Sequence, residues 1–171
     1  MTSDTQKNAR QYDTVPDPKP EAIVVHCSDP RFQPAFEQFI QTELKLPKGK
    51  YIPLVVGGGA SVLAHPEQLP KEFKFLKERF EFYREAFPSI RRLVLINHED
   101  CDYYASAQQK LLSFINPQRL ASARKASGGA FAFLSKNFLH LLAHLGLTID
   151  LYHAHFTDPA RTKIAFEKIS G

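Results

Sequence analysis

Four short apolar runs, separated by longer amphipathic segments, constrain the fold of this chain more than any other feature. The runs span residues 22–26, 51–56, 90–97 and 147–152. The first run is continuously apolar and rich in β-branched residues, which is typical of a strand buried on both faces of a sheet. Such strands, alternating with helices, predict an α/β fold with a mostly parallel β-sheet of about four to five strands flanked by helices.

The segments between these runs carry apolar residues at helical spacing. We predict helices over residues 32–46, 65–87, 103–115, 119–145 and 159–169. The first twenty residues are polar and contain three prolines, so we expect them to lie outside the core. The predicted organisation is therefore a polar N-terminal arm, residues 1–20, followed by a single α/β domain, residues 21–171.

Composition narrows the class of protein. The net charge is +4, with Lys and Arg dispersed among Asp and Glu, so we expect no nucleic-acid partner. No apolar stretch approaches the roughly 20 residues that cross a bilayer, and residues 1–20 lack the apolar core of a signal peptide. We therefore expect a cytoplasmic protein with no membrane partner. In that compartment a cysteine pair is more often metal-binding or reactive than a disulfide.

The two cysteines, Cys27 and Cys101, each follow a predicted buried strand. His98 follows the third strand and stands three residues before Cys101. Functional groups of open α/β sheets gather beyond the carboxyl ends of the strands, so we predict that these three side chains meet. Two thiolates and one imidazole suit Zn²⁺. Because catalytic zinc sites have three protein ligands and an open fourth position, the set favours catalysis over a purely structural role.

Asp29 and Arg31 alternate with Cys27 along the chain, so an extended backbone would turn all three side chains the same way. A carboxylate this close to zinc could take the fourth position and close the site. An arginine fork could instead hold it in a bidentate pair. We therefore predict an Asp29–Arg31 gate, open when Arg31 holds Asp29 and closed when Asp29 ligates the metal.

Simpler interpretations exist for the same residues. Cys27 and Cys101 would also fit as buried thiols, since free cysteine is among the most buried residue types. Asp29 with Arg31 would also fit as a salt bridge at a helix start. A thiol redox role is disfavoured because the chain has no Cys-x-x-Cys motif.

The segments Cys27-Ser28-Asp29-Pro30-Arg31 and His98-Glu99-Asp100-Cys101 resemble the two signatures of the β-class carbonic anhydrases, Cys-x-Asp-x-Arg and His-x-x-Cys. The resemblance spans about residues 21–152 and fits a compact, divergent member of that family. It implies zinc on Cys27, His98 and Cys101, with Asp29 and Arg31 as the catalytic dyad. It also implies reversible hydration of carbon dioxide to bicarbonate by a zinc-bound hydroxide nucleophile, and a homodimer or larger homo-oligomer.

The chain departs from the family pattern at two places. Asp102 stands where the family usually has Gly after the second cysteine. The run Gly57-Gly58-Gly59-Ala60 stands where the family tends to carry Arg-Asn-Ala-Gly. We expect this run to form a tight turn packed against the metal loop, and Gly58 and Gly59 are candidate substrate-binding residues.

The departures leave more than one function open. The alternatives are a zinc-binding relative that acts as a small-anion sensor or interaction domain, and a hydrolase of a CO2-like substrate such as carbonyl sulfide or carbon disulfide. Five further histidines are weaker candidates. We expect His140 and His144 to belong to a packed helix and His153 and His155 to form ordinary strand-end hydrogen bonds. His65 follows the glycine turn and is the weakest candidate for lining the pocket.

Overall fold

The computed structural model describes residues 10–63, 69–103, 106 and 139–169. Within these ranges five strands form one sheet: Ala22–Cys27 (β1), Tyr51–Val56 (β2), Arg92–His98 (β3), Thr148–Phe156 (β4) and Ile164–Lys168 (β5). Their order is β2-β1-β3-β4-β5, with β5 antiparallel to β4 and the other pairs parallel. Helices flank the sheet, so the predicted α/β architecture is confirmed.

The described helices are Gln33–Thr42 (α1), Pro70–Ala86 (α2) and Leu139–Leu142 (α3), with 3₁₀ turns at Gly59–Leu63 and Ala143–Leu145. Both α1 and α2 have a proline in their first turn, where its missing N–H leaves no bond unmade. Their buried residues are Phe36, Phe39 and Ile40 on α1 and Leu76 and Phe80 on α2. These spacings of three and four residues place each apolar stripe on one helix face.

The interior strand β1 is buried along its whole length. Ile23 and Val25 point into a core cluster that includes Leu76 and Phe80 of α2, whereas Ala22 and Val24 point into a second cluster with α1. Alternate residues of one strand thus supply both cores, which explains why the run is continuously apolar. Since β1 and β3 are parallel neighbours, their carboxyl ends, Cys27 and His98, lie at the same edge of the sheet.

The predicted closing helix over residues 159–169 is wrong, because the chain forms β5 there. Ile164 and Phe166 alternate along the strand and pack against the α1-side core. A turn precedes it, in which the Asp158 carboxylate accepts hydrogen bonds from the backbone N–H of Thr162 and Lys163, at 2.9 and 2.7 Å. Apolar side chains recur at every second residue here, as in a strand. The segment is too short for its sequence to separate that pattern from the spacing of a helix.

Other boundaries differ modestly from the sequence-based ones. Strand β4 continues past the predicted end at Tyr152 to Phe156, so His153 and His155 lie within it. Most of the predicted helices over residues 103–115 and 119–145 lies outside the described residues, as do residues 1–9. Residues 10–20 contain no helix or strand. Among the helices that the structure describes, none has the length and apolar character needed to cross a membrane.

Candidate metal centre

Cys27 is the last residue of β1, and its side chain is buried. The loop that follows is fixed by backbone and side-chain contacts. The N–H of Ser28 donates to the carbonyl of Val56, and the amide of Gln33 donates to the carbonyls of both Cys27 and Asp29, each at 2.8 Å. These bonds hold the turn between β1 and α1 and orient the thiol towards the sheet edge.

His98 ends β3 and is fully buried. Its Nδ1 lies 2.7 Å from the carbonyl oxygen of Glu99 and donates to it, so in the neutral form of the ring Nε2 presents its lone pair. Nε2 is buried and has no hydrogen-bond partner within the part of the chain that the structure describes. The ring stacks on Phe32, with centroids 4.2 Å apart. Metal-binding histidines have the same arrangement: one ring nitrogen donates to a backbone carbonyl, which fixes the ring orientation, and the other nitrogen is left for the metal.

Cys101 joins these two residues through a tight turn. Asp100, which precedes it, has a φ of +55° and reverses the chain after β3. The sulfurs of Cys27 and Cys101 are 3.8 Å apart, far beyond the roughly 2.05 Å of a disulfide. Together with a ring nitrogen of His98, they form a group whose ligand atoms all lie within 4.8 Å of one another. The predicted meeting of these three side chains is therefore observed.

The donor set fits zinc. Two sulfurs, each about 2.3 Å from a tetrahedral ion, would lie about 3.8 Å apart, which equals the observed separation. The hydrogen bond from Cys101 is the largest influence that lowers the pKa of Cys27, to about 4, and the adjacent His98 lowers it further, whereas burial alone would raise it. Cys27 is therefore a thiolate at neutral pH, which is the form that binds metal.

Asp29 is held by Arg31 through a bidentate pair. Arg31 Nη2 donates to Asp29 Oδ2 at 2.7 Å, Arg31 Nε donates to both carboxylate oxygens at 3.1 Å, and the Arg31 backbone N–H donates to Oδ1 at 2.9 Å. These bonds lower the pKa of Asp29 below its ordinary value, although burial opposes them, and the pKa of Arg31 is raised in return. The carboxylate is thus ionised and oriented beside the cysteine–histidine group.

Two residues that the sequence did not single out as functional complete this charged cluster. Asp100 Oδ2 lies 3.4 Å from Nη1 of Arg31 and 2.6 Å from Nη1 of Arg161, which comes from the loop between β4 and β5. The Asp100 carbonyl also accepts from Arg31 Nη2, at 3.1 Å. Asp100 sits inside the His-x-x-Cys spacing and could have been suspected. Arg161 gave no signal, because its segment was assigned to a helix.

A cavity of about 340 Å³ opens in front of the group. Its lining includes both sulfur-bearing residues and the Asp29–Arg31 pair, and is completed by Ser28, Pro30, Asp102 and Tyr103. The Asp102 carboxylate is 4.0 Å from Nη2 of Arg31, and its side chain is 93% exposed. Asp102 therefore stands at the cavity mouth in water rather than against the metal ligands.

The glycine run packs against the metal loop, as predicted. A Cβ on Gly59, whose φ is +51°, would lie 2.7 Å from the backbone nitrogen of Cys27. A Cβ on Gly58 would meet the Tyr103 ring at 3.0 Å. In the next turn, the Ser61 hydroxyl donates to Asn97 Oδ1, which also accepts from the His98 N–H at 2.8 Å. Substrate binding by Gly58 and Gly59 stays a prediction.

The remaining histidines do not join this group within the described residues. His144 forms a surface contact with Glu81, at 3.0 Å from Nε2 to Oε1, and its Nδ1 lies 2.9 Å from the Leu141 carbonyl oxygen. His153 and His155 have stacked rings with centroids 6.1 Å apart, and burial lowers the pKa of His153. His65 lies outside the described residues.

Comparison with solved structures finds similarity to several carbonic anhydrases. The β-carbonic anhydrase CafA of the fungal pathogen Aspergillus fumigatus is 16% identical, over 89% of this chain and 76% of that chain, with a TM-score of 0.51. A carbonic anhydrase from Glaciozyma antarctica is 18% identical, over 90% and 83% of the two chains, with a TM-score of 0.45. A structure of tetrameric β-carbonic anhydrases from Sordaria macrospora is 16% identical, over 90% and 84%, with a TM-score of 0.44.

No family model and no curated protein sequence matches the chain. The similarity to CafA, at a TM-score above 0.5, shows that the chain has the β-carbonic anhydrase fold. The resemblance drawn from the two short motifs is thereby confirmed at the level of the fold.

Proposed function

We propose that this chain is a zinc enzyme that catalyses the reversible hydration of carbon dioxide to bicarbonate. The observation that carries the proposal is the convergence of Cys27, His98 and Cys101 beside an ionised Asp29 held by Arg31. The three ligands would hold Zn²⁺ and leave one coordination position for a small molecule. Both cysteines also line the cavity, which would give a small molecule a route to that position.

Zinc, when bound here, would lower the pKa of water to about 7 and make hydroxide available as a nucleophile near neutral pH. The overall reaction, CO2 + H2O to HCO3⁻ + H⁺, would form one C–O bond and release one proton to solvent in each turnover. Asp29 accepts the O–H hydrogen bond of the nucleophile and so turns its lone pair towards the substrate carbon. Arg31 keeps Asp29 ionised and in place for this role.

The same pair supports the gate. Asp29 is only 11% exposed and lies beside the ligand group, so loss of its Arg31 partner would leave a carboxylate free to bind the metal. Binding of Asp29 as a fourth ligand would close the site. Four hydrogen bonds from Arg31 favour the open arrangement.

Asp102 favours a second candidate function, that of a zinc-stabilised domain that senses small anions or binds a partner without catalysis. Its carboxylate is a further negative charge near Arg31, at 4.0 Å, in the position where the family usually has Gly. Such a charge at the cavity mouth weakens binding of bicarbonate. Hydrolysis of carbonyl sulfide or carbon disulfide would instead use the same residues on a neutral substrate.

We also propose a homodimer or larger homo-oligomer. Strand β2 is an edge strand, and Val55 on it is 46% exposed. Apolar side chains of α2, Phe75 and Phe82, are exposed as well. Light scattering coupled to size-exclusion chromatography measures the subunit number directly.

Metal analysis and stopped-flow kinetics test the main proposal. The zinc-loaded protein should contain one zinc per chain and hydrate CO2 faster than a matched Cys27→Ala variant, which lacks one ligand. Stoichiometric zinc with hydration no faster than that variant would favour the non-catalytic alternative. Activity on carbon disulfide without activity on CO2 would favour the alternative substrate class.

A further inference from the structure

The loop between β4 and β5 is built to hold Arg161 in one place. The Asp158 carboxylate accepts hydrogen bonds from the Thr162 and Lys163 N–H groups and from the Thr162 hydroxyl, at 2.9, 2.7 and 2.8 Å. The Arg161 N–H donates to the Asp158 carbonyl at 3.0 Å, and Arg161 has a φ of +58°. The loop is therefore internally bonded, and Arg161 projects from it at a defined position.

Arg161 makes two contacts beside the candidate metal centre. Its Nη1 lies 2.6 Å from Asp100 Oδ2, and its guanidinium lies 5.4 Å from the centroid of the Phe156 ring. Phe156 in turn packs on Phe32 with centroids 5.1 Å apart, and Phe32 is the ring that stacks on His98. A cation seated over this aromatic group is drawn to the ring face as well as to the carboxylate.

Asp100 is a second carboxylate within reach of Arg31. The Asp100 oxygen that Arg161 holds at 2.6 Å is the same oxygen that lies 3.4 Å from Arg31 Nη1. Arg31 makes its short contacts to Asp29 instead, down to 2.7 Å. With Arg161 removed, Asp100 would keep its charge, and Arg31 would be its one ion-pair partner among the residues that the structure describes. A carboxylate beside a guanidinium fork favours a bidentate pair, so Asp100 would then draw Arg31 away from Asp29.

We propose that Arg161 is a positioning residue for the gate. By neutralising Asp100, it leaves the Arg31 fork on Asp29 and so keeps the fourth coordination position clear. This inference rests on the proposed metal site and its gate, although it does not require that the site hydrates CO2. The β4–β5 loop is far in sequence from the candidate metal ligands, yet through Arg161 it would influence whether the fourth coordination position is open.

The test uses the full chain loaded with cobalt(II), whose visible absorption changes when an anion binds the open position. The probe is thiocyanate, titrated into the wild type and the variants Arg161→Gln, Arg161→Lys, Asp100→Asn, the Arg161→Gln/Asp100→Asn double variant and Lys163→Gln. Lys163→Gln removes one positive charge from the same loop and is the matched control. Cobalt content and melting temperature, measured for every variant, verify metal binding and folding independently of any activity.

We expect Arg161→Gln to weaken thiocyanate binding about three- to fivefold, the range set by an exposed ion pair. In the Asp100→Asn background the same change should have no effect, because the competitor for Arg31 is gone. Arg161→Lys should retain most of the wild-type affinity, and Lys163→Gln should match the wild type.

An equal loss in both backgrounds would mean that Arg161 acts only through its long-range field, and would overturn the proposal. Unchanged affinity in Arg161→Gln would overturn it as well. A protein that binds cobalt and thiocyanate in the expected pattern but does not hydrate CO2 would support this inference while contradicting the catalytic proposal. A protein that takes up no cobalt would contradict both the metal site and this inference.

Discussion

At the scale of single residues, the chemistry of the site depends on which partner each charged group contacts. Asp29 has Arg31, Asp100 has Arg161, and the Cys27 thiolate has the Cys101 thiol. Each of these contacts stabilises the charged form of the group that it involves. Substitution of one member therefore changes the state of its former partner, and this determines the direction of the residue-scale predictions.

Arg31→Ala should retain zinc but lose CO2 hydration by roughly 100-fold, a typical effect of removing a group that organises proton transfer. The reason is that Asp29 loses all the hydrogen bonds that Arg31 donates from its side chain and becomes free to ligate the metal. Metal content and stopped-flow hydration measure the two effects separately. Full turnover in this variant would remove the gate from the mechanism.

The ionisation of Cys27 gives a pH-dependent prediction for the metal-free protein. Its pKa is lowered from 9.0 to about 4, so the thiolate absorbance in the ultraviolet should persist as pH falls from neutral and disappear with a midpoint near pH 4. Because the folded pKa lies below the unfolded one, this ionisation stabilises the fold fully only above about pH 9, and its contribution falls as pH drops towards 4.

The control for this titration is Cys27→Ser, which should lack the absorbance that titrates near pH 4. A midpoint near the ordinary thiol value in the wild type would mean that Cys101 and His98 do not stabilise the thiolate. The measurement requires metal-free protein, because a bound metal keeps the thiolate deprotonated until the pH is low enough for protons to displace the metal.

At the scale of elements, the glycine turn after β2 supports the loop after β1. Gly59→Ala should be more destabilising than Gly146→Ala, although both glycines have positive φ, +51° and +62°. A Cβ at Gly59 meets backbone atoms of Cys27 and His26 at 2.7 and 3.0 Å, whereas one at Gly146 meets nothing within 4 Å. We expect an extra loss of about 1–3 kcal/mol at Gly59, from overpacking against a backbone that cannot rotate away.

Denaturant unfolding of both glycine variants measures this difference, and metal affinity should fall only in Gly59→Ala because the affected backbone belongs to Cys27. Equal losses in the two variants would mean that backbone strain at positive φ, and not close packing, is the reason for the glycine at residue 59.

The elements differ in how much the sequence reveals of them. Strands β1 and β3 were predictable because burial on both faces requires continuous apolar runs, and Cys27 and His98 followed as their last residues. Strand β5 was not predictable, because two apolar residues, Ile164 and Phe166, are too few to distinguish the alternation of a strand from the spacing of a helix. With β5 misassigned, the hairpin loop was lost, and so was the contact between Arg161 and Asp100.

At the scale of the whole molecule, the candidate metal ligands join parts of the chain that are far apart in sequence. Cys27 ends β1, while His98 and Cys101 lie at and beyond the end of β3. Spacing predicted the meeting of these side chains, because parallel neighbours end at one edge. The pairing of Asp100 with Arg161 depends on side-chain directions in two loops, which no local pattern encodes.

Zinc should therefore stabilise the whole fold rather than one loop. Without it, a thiolate, a thiol and an imidazole nitrogen remain buried together at the junction of β1 and β3. Free zinc at 1,000 times its dissociation constant would add about 4 kcal/mol, which raises the melting temperature by about 10 °C in a chain of this size. Calorimetry before and after chelation measures this shift. Cys27→Ser, which keeps only two of the three ligands, should show a much smaller shift, and an equal shift in both proteins would mean that zinc stabilises the chain from some other site.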